Sequence, residues 1–208
     1  MNWRATVLVT GLLLVSLGVS AESVFDAPVH NQPQRIAKLQ ALADKLGDQR
    51  PINGQFEQHK QLAILSRPLI SGGEFQLDAS GDFRWQVLNP YKITYHQQDG
   101  LLKRELDGVS EQVNPADEPA LYGFFQFFSG IFDLDYPSLA AMFTVYFTEA
   151  DDGSWQLGLV PENARLRRAI DRLIIQGEPG MISQVNLFEP GDDSTRIVFS
   201  YPPEPSAP

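Results

Sequence analysis

Between Ile52 and Leu106 the chain is a succession of short segments in which apolar and polar residues alternate. Each segment ends in Gly, Asn, Asp or Pro. Phe75 and Leu77 alternate with polar neighbours, and so do Phe83, Trp85 and Val87. A period of two places successive side chains on opposite faces of a strand, so each segment has one face to bury. ASGD (79–82) and QQDG (97–100) stand where hairpin turns belong. Four to six antiparallel strands are predicted here, each beside its sequence neighbour. The last third repeats the rhythm with FTVYFTEA, WQLGLVP, LIIQGEPGMISQVNLFE and TRIVFSY, punctuated by DDGS and PGDDS. ENARLRRAIDR, between the second and third of these, reads as a short helix or an irregular connection.

Helical spacing interrupts this pattern. In PQRIAKLQALADKLGD, Ile36, Leu39, Leu42, Ala43 and Leu46 share one face, and Gly47 supplies a stop. Residues 22–31 carry no period and read as a flexible leader. The segment ALYGFFQFFSGIF (120–132) holds Phe124, Phe125, Phe127, Phe128 and Phe132, five of thirteen phenylalanines. Asp117 is the expected cap of a helix there, with Glu118 and Pro119 in its first turn and Gly130 at its end. Gly123 inside it costs roughly 1 kcal/mol relative to Ala. A second short helix, YPSLAAMF, follows. The order of helix, strands, apolar helical insert and strands predicts a mainly β protein with helices (α+β). Its centre is one strongly curved antiparallel sheet with helices over the concave face.

The N-terminus bears on compartment. Arg4 precedes ATVLVTGLLLVSLGV, an apolar run of signal-peptide length, and VSA supplies small residues at Val19 and Ala21. Cleavage after Ala21 is expected, leaving residues 22–201 as a single domain and 202–208 as a disordered tail. Removing 21 of the 208 residues leaves 187 and takes Arg4 with them, moving the net charge from −10 to −11. So acidic a chain is a poor candidate for nucleic acid or anionic membrane surfaces. Zero cysteines exclude a disulfide scaffold, thiol catalysis and cysteine-ligated metal. Export to a periplasm, as a monomer, fits these features.

Catalytic chemistry finds little support. His30, His59 and His96 are far apart in sequence, and neither H-E-x-x-H nor G-x-S-x-G occurs. The acid pairs Asp133/Asp135, Asp151/Asp152 and Asp192/Asp193 each stand at a chain reversal, where Asp bonds to nearby backbone. No enzyme, cofactor or metal is expected. The aromatic segment remains. A Phe stripe on a helix ordinarily packs on a sheet, but Leu121, Phe124, Phe125, Phe128 and Phe132 are flanked by Tyr122, Phe127 and Ile131, too broad a stripe for one sheet-facing surface. A helical lid over a concave sheet, lining a cavity for an apolar ligand, accounts for that width.

The leading helix, followed by GQFEQ and SGGEFQLDASGDFRWQVLNPYKITYHQQDGLL, resembles the LolA-type outer-membrane lipoprotein carriers. Phe56 and Gln58 fall at that family's F-x-Q, Gly73 at its strand-opening glycine and Phe83 with Trp85 at its F-x-W. Pro90 and Asp99–Gly100 complete the order. The stretch from Gly153 to Ser200 looks like the LolA-related subfamily. The resemblance implies an incomplete antiparallel β-barrel with a helical lid over a hydrophobic cavity for acyl chains. Phe75, Phe83, Trp85, Leu121, Phe124, Phe125, Phe128 and Phe132 would line the cavity or form the lid. It further implies a periplasmic carrier that takes lipoproteins from an inner-membrane transporter to an outer-membrane receptor. Acylated lipoprotein or lipid is the expected cargo. A carrier of free lipid, glycolipid or polyene lipid is the alternative on the same fold. A lipoprotein-sensing regulator is another, but 187 residues leave it no room for a second domain. One position departs from the family: its latch arginine corresponds to Ala79, followed by Ser80. Arg67–Pro68 lies upstream and Arg84 on a neighbouring strand.

Overall fold

The structure, a computed structural model, describes residues 23–202. The expected signal peptide, and all of the expected tail beyond Pro202, lie outside them. Six strands follow the first helix: β1 (Ile52–Gln61), β2 (Leu69–Leu77), β3 (Phe83–Asn89), β4 (Ile93–Gln98), β5 (Leu101–Leu106) and β6 (Val109–Gln112). Five more close the chain: β7 (Phe143–Glu149), β8 (Trp155–Pro161), β9 (Arg172–Glu178), β10 (Met181–Phe188) and β11 (Ser194–Ser200). All eleven form one sheet in the order β6-β5-β4-β3-β2-β1-β11-β10-β9-β8-β7. Two antiparallel meanders are thus joined by the pairing of β1 with β11, Gln55 opposite Ser200 through Gln61 opposite Ser194. β6 and β7 are the two edges of an open half-barrel.

Alternation decides which face is inward. Ile52 and Phe56 of β1, Phe75 and Leu77 of β2, Phe83 and Trp85 of β3, and Ile197 and Phe199 of β11 are all buried in one core. Their sequence neighbours face out. The helices supply the core's other half. Helix α1 (Pro33–Gly47) buries Leu39, Leu42 and Leu46. It is tied to β7 by Arg35 Nη1 donating to Phe147 O at 2.7 Å and by Lys38 to Glu149 at 3.0 Å. Helix α2 (Pro119–Gly130) and the short α3 (Tyr136–Ala140) occupy the connection between the two meanders. ENARLRRAIDR is mostly irregular, with one 3-10 turn at Leu166–Arg168.

Two local expectations are corrected. Residues 23–31 are not a flexible leader: Val24, Ala27 and Val29 are buried. Val29 N donates to Val145 O at 2.8 Å, and Phe147 N donates to Ala27 O at 3.0 Å. A non-periodic segment laid along β7 needs only a few apolar contacts, which is why periodicity missed it. It also shields a sheet edge. The second correction concerns the cap of α2, which is Glu118 rather than Asp117. The Asp117 carboxylate accepts from Asn114 Nδ2 at 2.9 Å in the preceding turn.

Candidate functional site

Glu118 and Pro119 start α2, and its twelve residues include no Asp, Glu, Lys or Arg. Phe125, Phe128 and, just past its end, Ile131 and Phe132 are buried, with Phe128 only 1% exposed. Leu121, Tyr122, Phe124 and Phe127 are half-buried, so apolar groups extend round most of the helix. Gly123 and Gln126 take the solvent side.

Beneath α2 lies an aromatic floor contributed by five strands, β1, β2, β3, β4 and β11. Trp85 is stacked on Phe56 with centroids 3.6 Å apart. Phe128 meets the edge of Trp85 at 5.1 Å and lies 6.0 Å from both Phe83 and Phe199. Phe132 stacks on Phe75 at 5.7 Å, and Phe125 packs on Tyr95 at 4.7 Å. Phe124 stacks on Phe128 at 5.1 Å. All eight residues picked out by sequence therefore belong to one cluster, Leu121 among its half-buried members. These rings pack together in the space between helix and sheet.

Both ends of α2 are fastened by charge. Arg104 of β5 reaches Glu118 at the helix start at 3.0 Å and also pairs with Glu111 of β6. These hydrogen bonds, Glu111's above all, raise the Arg104 pKa and keep the guanidinium charged. At the other end Arg50 pairs with Asp133. Between them the Tyr122 hydroxyl donates to Gly100 O, in the β4–β5 turn. Ala79, where the sequence resemblance would have put an arginine, is an exposed turn residue. The ion pairs at the ends of α2 come instead from Arg104 and Arg50, residues that no sequence motif singled out. Alternation alone could have marked Phe199, since TRIVFSY places it on the inward face. Tyr95 and Phe56 were open to the same reading.

The remaining candidates do not assemble. His59 lies beside Glu57 on β1, while His96 is on β4, where burial and then Arg84 lower its pKa. His30 is exposed. Among the acid pairs, Asp135 caps α3 by accepting from Ser138 N at 3.0 Å, and Asp152 accepts from Ser154 N at 2.9 Å. Asp133 also stands in a turn, its N donating to Gly130 O at 3.1 Å, but its carboxylate pairs with Arg50 rather than with nearby backbone. A recess lined by Gln55, Glu74, Gln76, Arg84, Ser200 and Pro202, among others, lies where β1, β2 and the end of β11 meet. Among the described residues no cluster of His, Asp and Glu has metal-binding geometry.

No family model matches the sequence. No curated protein matches it either. Solved structures do resemble it in shape. A chain of the Pseudomonas aeruginosa MucA/MucB complex superposes with TM-score 0.46 at 14% identity, over 80% of this chain and 59% of that one. The protein thus spans under two thirds of that chain's length. A LolA superfamily protein from Nitrosomonas europaea gives TM-score 0.41 at 7% identity, covering 78% and 91%. Lipoprotein LppX of Mycobacterium tuberculosis gives 0.40 at 10%, covering 82% and 98%. Likenesses this distant assign no function.

Proposed function

We propose that the protein is an exported carrier that shelters the acyl chains of lipoproteins between α2 and the concave face of the sheet, for transfer from the inner to the outer membrane. The observation that carries this reading is the character of α2. A helix that only completes a core presents a charged or polar outer face. This one has no charged residue, keeps apolar groups round most of its circumference and has its salt-bridge anchors at its two ends. Lifting it exposes two apolar surfaces, the aromatic floor and the helix itself, and an acyl chain can satisfy both.

Energetics favour such a device. Burying a methylene is worth roughly 0.8 kcal/mol, so a sixteen-carbon chain leaves a bilayer for water at a cost near 12 kcal/mol. A carrier has to replace most of that burial yet still release its load. Flat rings that repack on one another when the chain leaves meet both needs. Native mass spectrometry and lipid extraction of gently purified protein provide the test. A co-purifying acylated peptide is the expected result. A free lipid instead would move the assignment to lipid transport, and neither, with no uptake of a fluorescent fatty acid, would overturn it. In the same assay Phe124→Asp, at a half-buried position, should lower uptake at least tenfold, an estimate of about 1.5–3 kcal/mol of lost burial. Asp152→Asn, in a remote turn, should leave uptake unchanged.

A further inference from the structure

The two ends of the half-barrel differ in chemistry. The β2–β3, β4–β5, β7–β8 and β9–β10 turns lie together at one end, and the remaining hairpin connections lie at the other. Acidic residues dominate the first: Asp78, Asp82, Asp99, Asp151, Asp152 and Glu178, with no Lys or Arg in the turns themselves. Apolar groups crowd the second. Ile64, in the β1–β2 loop, is 89% exposed, and Tyr91, in the β3–β4 turn, is 73% exposed. Leu69, Ile70 and Leu88 flank these two neighbouring loops and are exposed as well.

This apolar surface is built, not frayed. Gln61 Nε2 donates to Leu65 O at 2.9 Å and to Leu62 O at 3.1 Å. Leu65 N donates to Leu62 O at 2.9 Å, and Ala63 N to Asp193 Oδ1 at 2.8 Å. The loop is therefore folded on itself with Ile64 outward. Basic residues accompany it: Arg67 in the same loop and Lys92 beside Tyr91, neither in a salt bridge among the described residues. Arg165, Arg167 and Arg168 stand in the β8–β9 connection with Glu162 and Asp171. The other acids at this end are Asp107, Glu189, Asp192 and Asp193. Glu189 is paired with Lys60, and Asp193 holds the loop.

We infer that the β1–β2 loop and the β3–β4 turn form a docking surface for an anionic lipid bilayer, with Ile64 entering the acyl region while Arg67 and Lys92 meet the headgroups. The apolar groups stand on projecting tips with cations beside them, the arrangement that lets a side chain enter lipid while charge stays at the phosphate level. Tyr91 is of the type that settles at that boundary. The net charge of −10 makes the chain as a whole a poor partner for anionic lipid, but its excess is concentrated away from this surface. At this end the six acids are matched by Lys60, Arg67, Lys92, Arg165, Arg167 and Arg168, and the acid-rich turns at the far end are screened beyond about 10 Å. The surface stands on its own geometry, whatever the protein carries.

The test is flotation of the processed protein, recovered from cells, with vesicles of phosphatidylglycerol and phosphatidylethanolamine. The wild type should float with them, and less so with pure phosphatidylcholine or at raised salt. Ile64→Asp should lower partitioning about tenfold and Arg67→Gln about fivefold. Because Ile64 is almost fully exposed, thermal unfolding should be unchanged. Ile64→Trp should show a blue-shifted emission, quenched by brominated acyl chains, with anionic vesicles only. A wild type that stays in solution, equal flotation of Ile64→Asp, or no blue shift would overturn the inference and give the surface to a protein receptor. Fatty-acid uptake by Ile64→Asp should remain at the wild-type level, which separates this result from the carrier reading.

Discussion

Gly73 and Gly123 are the same letter in the sequence and opposite cases in the fold. A Cβ on Gly73 would come within 1.8 Å of Gln86 O, at a point where the β2–β3 register shifts between Gly72 and Gly73. Backbone cannot yield as a flexible side chain does. Gly73→Ala should therefore lower stability by about 3 kcal/mol, read from urea denaturation. Nothing lies within 4 Å of a Cβ on Gly123, and its backbone is helical. Gly123→Ala should raise stability by up to about 1 kcal/mol. The motif order pointed to Gly73, and the helix cost of Gly123 was readable. What Gly73 is for was not, because it depends on a carbonyl thirteen positions away in another strand.

Helix α2 shows how far an element can be read and where reading stops. Its apolar faces were legible from spacing, since 3.6-residue periodicity is local, and its end from Gly130, while its cap was placed one residue early. Its fastenings were not. Arg104 and Glu118 belong to different elements, and Arg50 and Asp133 are 83 residues apart. Surface ion pairs are individually weak, about 0–1 kcal/mol, but α2 is held by few other polar contacts. Converting both Arg50 and Arg104 to Gln should speed amide exchange within α2 by about tenfold while β1 and β11 exchange as before. Equal acceleration in helix and sheet would show that α2 opens only with the whole domain.

At the scale of the molecule, each meander was readable because its strands pair with sequence neighbours. The seam between them was not, since β1 and β11 are separated by nearly the whole chain. Continuous connection of the halves runs through residues 113–118, of which Asn114 to Asp117 are exposed. A protease site placed at 114–117 and cut should leave two fragments that co-elute on size exclusion, held by the β1–β11 ladder and by α2 on its aromatic floor. Fragments that separate would show the covalent link to be essential. The seam has a mechanical side too. Gln55 and Ser200 face each other at one end of the ladder, and Gln61 and Ser194 at the other. Tension drawn through Gln55 and Ser200 reaches the hydrogen bonds one pair at a time, like a zip, instead of loading them all in shear. Force applied between these two strand ends therefore opens the seam progressively, where the same force applied at opposite ends of the ladder would have to break its pairs together.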